Sequence, residues 1–368
     1  GEASLVERQH QVAQLGARQL AGSRQHGHQS RDLVALRRDE LAEGTDVVVG
    51  FLALAVATLG AVEGIGMVRD EHLALGAIAA AVEGRGGRTR RVPLSDGGEG
   101  FLDVFGGANR TALVTGPSGQ PVEAGWRLDG RRAVIEMARA SGLVLAGGAA
   151  ENDALAATTA GTGELIGAAL DAGARKVIIG HGGSATTDGG LGAVKALSPV
   201  ARLRGVELVA AVDVRTAFTR AAVEFGAQKG ASAHQVDLLT RRLERLVQLY
   251  RSDFGVEVDV VPGAGAAGGL AGGLMALGAE IVSGFDLIAE ELDLLGAMER
   301  VDLVVTGEGF VDGASFDGKV VGGVVNLASE VGVPVLVVAG EVFDEIPAGV
   351  DAVSLVERFG RERSMADP

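Results

Sequence analysis

The segment 180–190 combines residue types that bind anions with a residue type that accepts protons. Gly182, Gly183 and Ser184 follow a short β-branched run, and Asp188 comes soon after them. A strand that ends in small residues brings backbone N–H groups and a helix N-terminus close to an anion, so we predict a phosphate site here. A carboxylate at Asp188 would add an Mg²⁺ ligand or a base for an attacking hydroxyl. Together these features indicate phosphoryl transfer.

A second acidic turn follows the apolar residues Val92–Leu94 and carries Asp96 and Glu99 among glycines. Such a turn lets the backbone approach a ligand while its carboxylates coordinate Mg²⁺ or contact a substrate hydroxyl. Surface turns also carry acids without any function. Ligand sites gather at the strand ends of α/β sheets, which favours a functional interpretation.

A third polar segment follows the predicted strand Asp302–Thr306 and contributes two acids, a hydroxyl and a lysine: Glu308, Asp312, Ser315 and Lys319. The segment Gly313–Lys319 matches GxxxxGK, but Val320 stands where a P-loop needs Ser or Thr for Mg²⁺, so we exclude a Walker A motif. Lys319 is expected to balance the charge of a nucleotide phosphate.

Lysine is rare in this chain, which has only Lys176, Lys195, Lys229 and Lys319. Lys229 lies between small residues just before a long predicted helix, so it would meet a phosphate or a carboxylate, or else cap the helix in solvent. Both interpretations stay open. Asp213 follows the predicted strand Glu207–Val212 and is a candidate substrate ligand.

The segment Gly263–Gly268 has the spacing GxGxxG of a dinucleotide-binding loop. Alone, this pattern is weak. Pro262 and the further glycines that follow are more typical of a helix packed tightly against a sheet. A dinucleotide-dependent oxidoreductase therefore stays as a minor alternative.

Composition limits the function classes. A chain of 368 residues predicts two domains, and 47% hydrophobic with 22% charged residues is typical of a globular protein. The net charge of -15 argues against a sequence-independent nucleic-acid surface. The absence of cysteine excludes disulfides, thiolate catalysis and cysteine-bound zinc, and it fits a reducing cytoplasm.

From residue 90 onward, strand patterns alternate with Ala/Leu-rich helix patterns, which predicts an α/β fold with mostly parallel sheets. The predicted strands are Ala133–Met137, Lys176–Ile179, Glu207–Val212, Asp302–Thr306 and Val333–Val338. The predicted helices are Gly163–Ala172, Ser232–Tyr250, Gly268–Leu277 and Val320–Val331. In the longest helix we expect one buried stripe formed by Val236, Leu239, Leu243, Leu246 and Leu249.

The first part of the chain differs from the rest in composition and in residue pattern. Residues 1–45 are rich in Arg, Gln and His without a sustained period, and we expect an extension outside the fold. The apolar run Val47–Val62 is shorter than a membrane span, so a buried helix or a strand pair is favoured over a membrane anchor. No signal peptide is predicted, which favours the cytoplasm.

Eight stretches occur in the order of one known family: VPLSDGGEG, AVIEMARASGL, ATTAGTGELI, GGSATTDGG, FGAQKGA, PGAGAAGGL, VVTGEGFVDGASFDGKVV and VPVLVVAGEV. The chain resembles the type I glycerate kinases (glycerate 2-kinases) from about Arg91 to Gly360. The resemblance implies two α/β domains with Rossmann- or flavodoxin-like sheets, one domain inserted in the other. We expect residues 46–95 with 290–368 to form a discontinuous domain and residues 96–289 to form the inserted one.

The resemblance implies a kinase that transfers the γ-phosphoryl group of MgATP to a hydroxyl of D-glycerate, giving 2-phosphoglycerate. The expected catalytic residues are Asp188, Asp96, Lys229 and Lys319. The expected nucleotide ligands are Gly182, Gly183, Ser184, Glu308, Asp312 and Ser315, and the expected substrate ligands are Glu99 and Asp213. Asp96 and Asp188 are the expected Mg²⁺ ligands. No nucleic-acid or membrane partner is expected, and a homodimer is left open.

The sequence also departs from this family. Residues 68–73 read VRDEHL where the family has a turn of the type Pro-Asp-x-Phe-Lys-Gly, so the lysine of that turn is missing. Ala227 replaces the usual proline before the glutamine of the lysine loop, and Thr216–Phe218 replace Asn-Pro-Leu. These departures motivate the alternative that the chain is a catalytically impaired protein that binds ATP or glycerate.

Overall fold

A computed structural model describes residues 46–52, 71–98, 100–316, 319–344, 346–347 and 349–361. The predicted N-terminal extension (1–45), the turn at 68–70, Glu99 and most of the apolar run 47–62 lie outside these residues. Within the described residues, no helix is long and apolar enough to cross a membrane.

The strands are β1 (Asp46–Leu52), β2 (Arg88–Leu94), β3 (Arg110–Thr115), β4 (Pro121–Asp129), β5 (Arg132–Glu136), β6 (Lys176–Gly180), β7 (Glu207–Val212), β8 (Glu280–Ser283), β9 (Leu303–Val311), β10 (Val335–Val342) and β11 (Asp351–Ser354). The α-helices are α1 (Glu71–Glu83), α2 (Phe101–Val104), α3 (Ala138–Ser141), α4 (Ala160–Asp171), α5 (Leu191–Ala196), α6 (Ala221–Phe225), α7 (Ala233–Phe254), α8 (Ala266–Ala276), α9 (Gly284–Glu291), α10 (Leu294–Met298), α11 (Val320–Val331) and α12 (Leu355–Phe359).

These strands form two sheets. A five-stranded sheet has the order β11-β10-β9-β1-β2, and all of its pairs are parallel. A six-stranded sheet runs β3 to β8 in sequence order, with two antiparallel pairs at the β3 edge and parallel pairs from β5 onward. The prediction of an α/β fold with mostly parallel sheets is therefore confirmed. In such sheets the carboxyl ends of the strands meet at one edge, where ligands bind.

The chain leaves the five-stranded sheet after β2 and returns to it with β9, so the whole six-stranded sheet lies between these two strands in sequence. The predicted boundary at 289–290 falls inside α9. The division into 46–95 with 290–368 and an inserted 96–289 stays a prediction.

The two sheets share a hydrophobic core. Side chains alternate along a strand, and the six-stranded sheet turns Val134, Ile178 and Val209 toward one core. That core also contains Val304 of β9 and Val320 of α11, which belong to the five-stranded side. The opposite face of the six-stranded sheet buries a second core that includes residues of α4 and α8. The shared core therefore connects the two sheets.

Most predicted elements are present, with shifted ends. β7 and α11 have the predicted bounds, whereas β9 continues five residues beyond the predicted Thr306 because its second half pairs with β10. Glu308 therefore lies within a strand and not in a loop. On α7 the expected burial of Leu249 is wrong: this side chain is 38% exposed, and Tyr250 is fully buried in its place.

Candidate active site

The turn 95–98, which we call the acidic turn, joins the end of β2 to the six-stranded sheet. Gly97 has a φ of +104°, and a Cβ added there would lie 2.8 Å from the carbonyl oxygen of Ala211 in β7. A Cβ added to Gly284, the first residue of α9, would lie only 1.9 Å from the carbonyl oxygen of Asp96. Backbone therefore meets backbone on both sides of the turn, which only glycine permits. This contact fixes Asp96 beside the ends of β7 and β8.

Asp96, Asp213, Glu308 and Lys319 form one charged group, which we call the acid cluster. Burial raises the pKa of Asp213 to about 7, and repulsion by the neighbouring Asp96 adds to this rise, while Lys319 opposes it. The pKa of Asp96 is also raised, mainly by burial, although hydrogen bonding from the Gly98 N–H and the charge of Lys319 lower it. The charge of Lys319 thus acts on carboxyls that follow strands of both sheets.

Glu308 extends the acid cluster on the five-stranded side. Its side chain is buried, and burial raises its pKa to about 7 against the opposing effects of Ser315 and Lys319. Its Oε1 atom has no hydrogen-bond partner in the described residues. A buried polar atom without a partner is costly, so this carboxyl is suited to receive a ligand or a proton.

Asp312 and Ser315 stabilise the turn that leads to Lys319. The Asp312 Oδ1 accepts hydrogen bonds from the backbone N–H of Ser315 at 3.0 Å and from its hydroxyl at 3.3 Å. The Ser315 Oγ in turn accepts from the backbone N–H of Asp312 at 3.2 Å. These reciprocal hydrogen bonds give both residues a structural role in forming the turn. Their predicted role in nucleotide binding remains a prediction.

A second group lies in residues 182–188, which we call the glycine–threonine loop. Lys229 Nζ donates to the Ser184 Oγ and to the Thr186 carbonyl oxygen, both at 2.7 Å. Lys229 is 6% exposed, so its interpretation as a solvated helix cap is wrong. Burial lowers the pKa of Lys229 to about 7, and the negative charge of Asp188 opposes this effect. The lysine is therefore an internal anchor of the loop.

Asp188 is saturated by hydrogen bonds. Its Oδ2 accepts from the N–H groups of Thr159 and Gly192 at 2.9 and 3.1 Å, and its Oδ1 accepts from the Gly190 N–H at 3.0 Å. The Thr159 hydroxyl also donates to this carboxylate at 2.9 Å. These donors join the start of α4 to the start of α5. A carboxylate occupied in this way has little capacity left for a metal ion or a substrate proton, which argues against the predicted base and Mg²⁺ roles of Asp188.

The two groups are neighbours. A Cβ added to Gly182 would lie 2.1 Å from the Cα of Gly98, so the glycine–threonine loop begins in backbone contact with the acidic turn. The structure therefore places the predicted residues in two adjoining groups, with Asp96, Asp213, Glu308 and Lys319 in one and Ser184, Asp188 and Lys229 in the other. The contact between Gly182 and Gly98 is where the two groups adjoin.

Sequence reasoning missed two side chains at this place. His181 is buried, its Nδ1 lies 2.8 Å from the Ile179 carbonyl oxygen, and burial lowers its pKa to about 4, so the ring is neutral at pH 7. Asn152 bonds to both the glycine–threonine loop and the backbone of Lys229. Asn152 precedes the predicted helix region without any motif of its own, so no sequence signal pointed to it.

The GxGxxG segment is a packing element. Gly268 has a φ of +68°, and a Cβ added there would lie 1.9 Å from the Thr186 carbonyl oxygen. A Cβ on Gly265 would lie 2.4 Å from the carbonyl oxygen of Ala217. Protein backbone therefore fills the space beside these glycines. This supports the packing interpretation over a dinucleotide site.

A family model described as the glycerate kinase family matches residues 73–200 and 198–362, which is most of the chain. The chain belongs to the glycerate kinase family. The family resemblance recognised in the sequence motifs is thereby confirmed.

Relatives in this family align over most of their length. A glycerate kinase of Bacillus subtilis is 40% identical over 306 residues, covering 72% of this chain and 80% of the relative. A glycerate 2-kinase of Escherichia coli is 40% identical over 304 residues, covering 71% and 80%. The crystal structure of a Salmonella typhimurium LT2 protein designated glycerate kinase 2 superposes with a TM-score of 0.66 at 32% identity, covering 88% of this chain and 94% of that chain.

Proposed function

We propose that this chain is an ATP-dependent glycerate kinase that transfers the γ-phosphoryl group of MgATP to a hydroxyl of D-glycerate, giving 2-phosphoglycerate. The acid cluster carries the proposal, because carboxyls of both sheets converge there on Lys319. Family membership supplies the substrate class, since the named relatives are glycerate kinases.

In the proposed reaction, Asp213 is the base. Phosphoryl transfer depends mainly on positioning and on neutralising charge, and the protein must also accept the proton of the attacking hydroxyl. A carboxylate with a pKa near the working pH is best suited to this step, and burial beside Asp96 raises the pKa of Asp213 to about 7. The base then holds the glycerate hydroxyl proton on a carboxyl oxygen. The positive charge of Lys319 stabilises the negative charge that develops nearby.

The residues of the acid cluster fit Mg²⁺. Within the described part of the chain, no group of three or more His, Cys, Asp or Glu side chains could hold a metal ion alone. Mg²⁺ usually keeps several waters and takes one or two carboxylates plus substrate phosphates, so this set is sufficient. Asp96 would hold it, with the unpartnered Oε1 of Glu308 nearby. When bound, Mg²⁺ neutralises charge on the nucleotide phosphates.

The glycine–threonine loop would receive the phosphates. Gly183 is exposed and its N–H has no protein acceptor among the described residues, while Ser184 is buried against Lys229, so a buried lysine lies behind an exposed glycine with a free N–H group. Backbone N–H groups near a positive charge form an anion site. In this proposal Asp188 and Lys229 hold the loop, and Asp188 is not a metal ligand.

The compartment and the partners that we propose are argued from the composition. A chain without cysteine and with a net charge of -15 suits a cytoplasmic enzyme that acts on small molecules without nucleic-acid or membrane partners. A homodimer stays a prediction, which size-exclusion chromatography with light scattering will decide.

The test is an ADP-release assay with MgATP, with and without D-glycerate, on protein that shows a cooperative thermal transition. Glycerate-dependent ADP release supports the proposal. ATP binding without such release would instead support the alternative of an impaired binding protein, and the missing lysine turn at 68–73 would be the first suspect. A titration with NAD(P)H tests the oxidoreductase alternative, which absence of binding removes.

A further inference from the structure

The glycine–threonine loop uses its carbonyl oxygens and its N–H groups differently. The carbonyl oxygens of Gly183, Ala185 and Thr186 accept hydrogen bonds from Leu143 N, Asn152 Nδ2 and Lys229 Nζ at 2.8, 3.0 and 2.7 Å. Of the N–H groups of 182–187, only that of Ala185 has a protein acceptor among the described residues. The protein thus holds the loop by its carbonyls and leaves the N–H groups of the partly exposed Gly182 and the exposed Gly183 for a ligand.

Asn152 joins this loop to the lysine that anchors it. Its Nδ2 donates to the Ala185 carbonyl oxygen at 3.0 Å and to the Lys229 carbonyl oxygen at 2.8 Å. Lys229 Nζ in turn donates hydrogen bonds to the Ser184 Oγ and the Thr186 carbonyl oxygen of the loop. The side-chain amide has two donor hydrogens, and both are used. Asn152, the loop and Lys229 therefore form a closed ring of contacts.

The segment that carries Asn152 is itself held in place. The backbone N–H of Asn152 donates to the Gly148 carbonyl oxygen at 3.0 Å. A Cβ added to Gly230 would lie 2.0 Å from the Ala149 carbonyl oxygen, so this segment packs directly on the residue after Lys229. Asn152 can therefore fix the position of the glycine–threonine loop relative to the segment that carries Lys229.

We propose that Asn152 is a positioning residue for phosphoryl transfer, which holds the free N–H groups of the glycine–threonine loop and the ammonium of Lys229 in one fixed arrangement around a phosphoryl group. This inference rests on the proposed kinase function. It assigns a role to a residue outside the predicted catalytic, nucleotide-binding and substrate-binding sets.

The test compares three variants of the full chain. Asn152→Ala removes both donors, and we expect kcat to fall about 10- to 100-fold, since a misplacement of about 1 Å can cost 100-fold. Asn152→Asp keeps the shape but turns acceptors toward two carbonyl oxygens, so its kcat should fall below that of Asn152→Ala. The KM for D-glycerate should stay within about twofold of the wild-type value, because the loop is proposed to contact phosphate.

Asn109→Ala is the matched control. The Asn109 side chain also makes two backbone hydrogen bonds, to the carbonyl oxygen and N–H of Leu128 at 3.1 and 2.9 Å, at the start of the edge strand β3. Both Ala variants should lose thermal stability, and only Asn152→Ala should lose kcat, measured well below the melting temperature. Equal kcat in the two variants would overturn the inference.

ATP titration calorimetry supplies a second readout that does not need turnover. If the wild-type protein releases no ADP with D-glycerate, the proposed function fails, and the titration still decides the role of Asn152. Weaker ATP binding by about tenfold in Asn152→Ala, with unchanged binding in Asn109→Ala, supports the loop-positioning role. Unchanged ATP binding in both would contradict it. If Asn152→Ala does not fold, Asn152→Gln, which keeps the donors on a longer arm, takes its place in both assays.

Discussion

Gly268 is the position where one added methyl group should disturb both stability and the candidate site. Its φ is +68°, and an added Cβ would lie 1.9 Å from the Thr186 carbonyl oxygen and 2.7 Å from the Thr187 Cα. The Thr186 oxygen is the atom to which Lys229 Nζ donates at 2.7 Å. Gly268→Ala must therefore displace the anchored part of the glycine–threonine loop or move α8 away from it.

Gly268→Ala should lower the free energy of unfolding for two reasons. An alanine in the left-handed region costs about 1–2 kcal/mol, and forcing a methyl group into filled space costs about 1–3 kcal/mol more. The reduced entropy of the unfolded chain returns about 0.4–1 kcal/mol. Gly268→Ala should thus lower the free energy of unfolding by about 1–5 kcal/mol, and kcat should fall because Thr186 and Lys229 shift.

The assay is urea unfolding at constant pH, with Gly255→Ala as the matched control. Gly255 follows α7 with a φ of +71°, and apart from its chain neighbours no heavy atom of the described residues lies within 4 Å of an added Cβ. Gly255→Ala therefore has the backbone cost without the clash, which is about 0–1.6 kcal/mol after the entropy gain. Equal losses in the two variants, or an unchanged kcat in Gly268→Ala, would refute the packing argument.

Three further predictions concern the ionisable groups. Asp213→Asn should lower kcat at least about 100-fold without loss of folding, because it removes the proposed base; the ADP-release assay measures this. Lys229→Met should abolish a rise in stability between about pH 7 and 10.5, because burial lowers the pKa of Lys229 to about 7, so the unfolded chain binds more protons across that window. Glu308→Gln should abolish a fall in stability between about pH 4.5 and 7, because burial raises the pKa of Glu308 to about 7, so the folded chain binds more protons there.

Exposed residues of the same types provide the controls. Asp253→Asn, Lys195→Met and Glu330→Gln change exposed side chains and should leave kcat and the pH dependence as in the wild type. Urea midpoints at several pH values measure the two stability effects. A Lys229→Met or Glu308→Gln variant with the wild-type pH slope would show that the burial argument is wrong for that residue. Near-normal turnover in Asp213→Asn would remove Asp213 as the base.

Local sequence patterns predicted much of the fold. The apolar run of β7 and the helical period of α11 predicted the observed bounds, because Asp213 follows the strand and Gly332 follows the helix. The end of β9 was missed because its last residues are held by pairing with β10, about thirty residues later in the chain. Tyr250 replaced Leu249 in the buried stripe because its ring packs on Phe218, a contact between distant segments.

Sequence patterns pointed to several residues of the candidate site, but they did not predict how those residues are bonded. The acidic turn after β2 pointed to Asp96, because strand ends of parallel sheets meet. Glu308 was expected after the end of a strand and lies inside β9. The bonding of Asp188 depends on Thr159 and the burial of Lys229 depends on Ser184 and Thr186, which lie far away in sequence. Asn152 carries no pattern and is recognised only from the two carbonyl oxygens that it joins.

The most direct test of the central claim is ³¹P NMR of the protein incubated with MgATP and D-glycerate. The kinase assignment predicts a phosphomonoester resonance that matches 2-phosphoglycerate and grows as the γ-phosphate resonance of ATP declines, only when D-glycerate is present. A folded protein that binds ATP and yields no phosphoglycerate resonance would contradict the account.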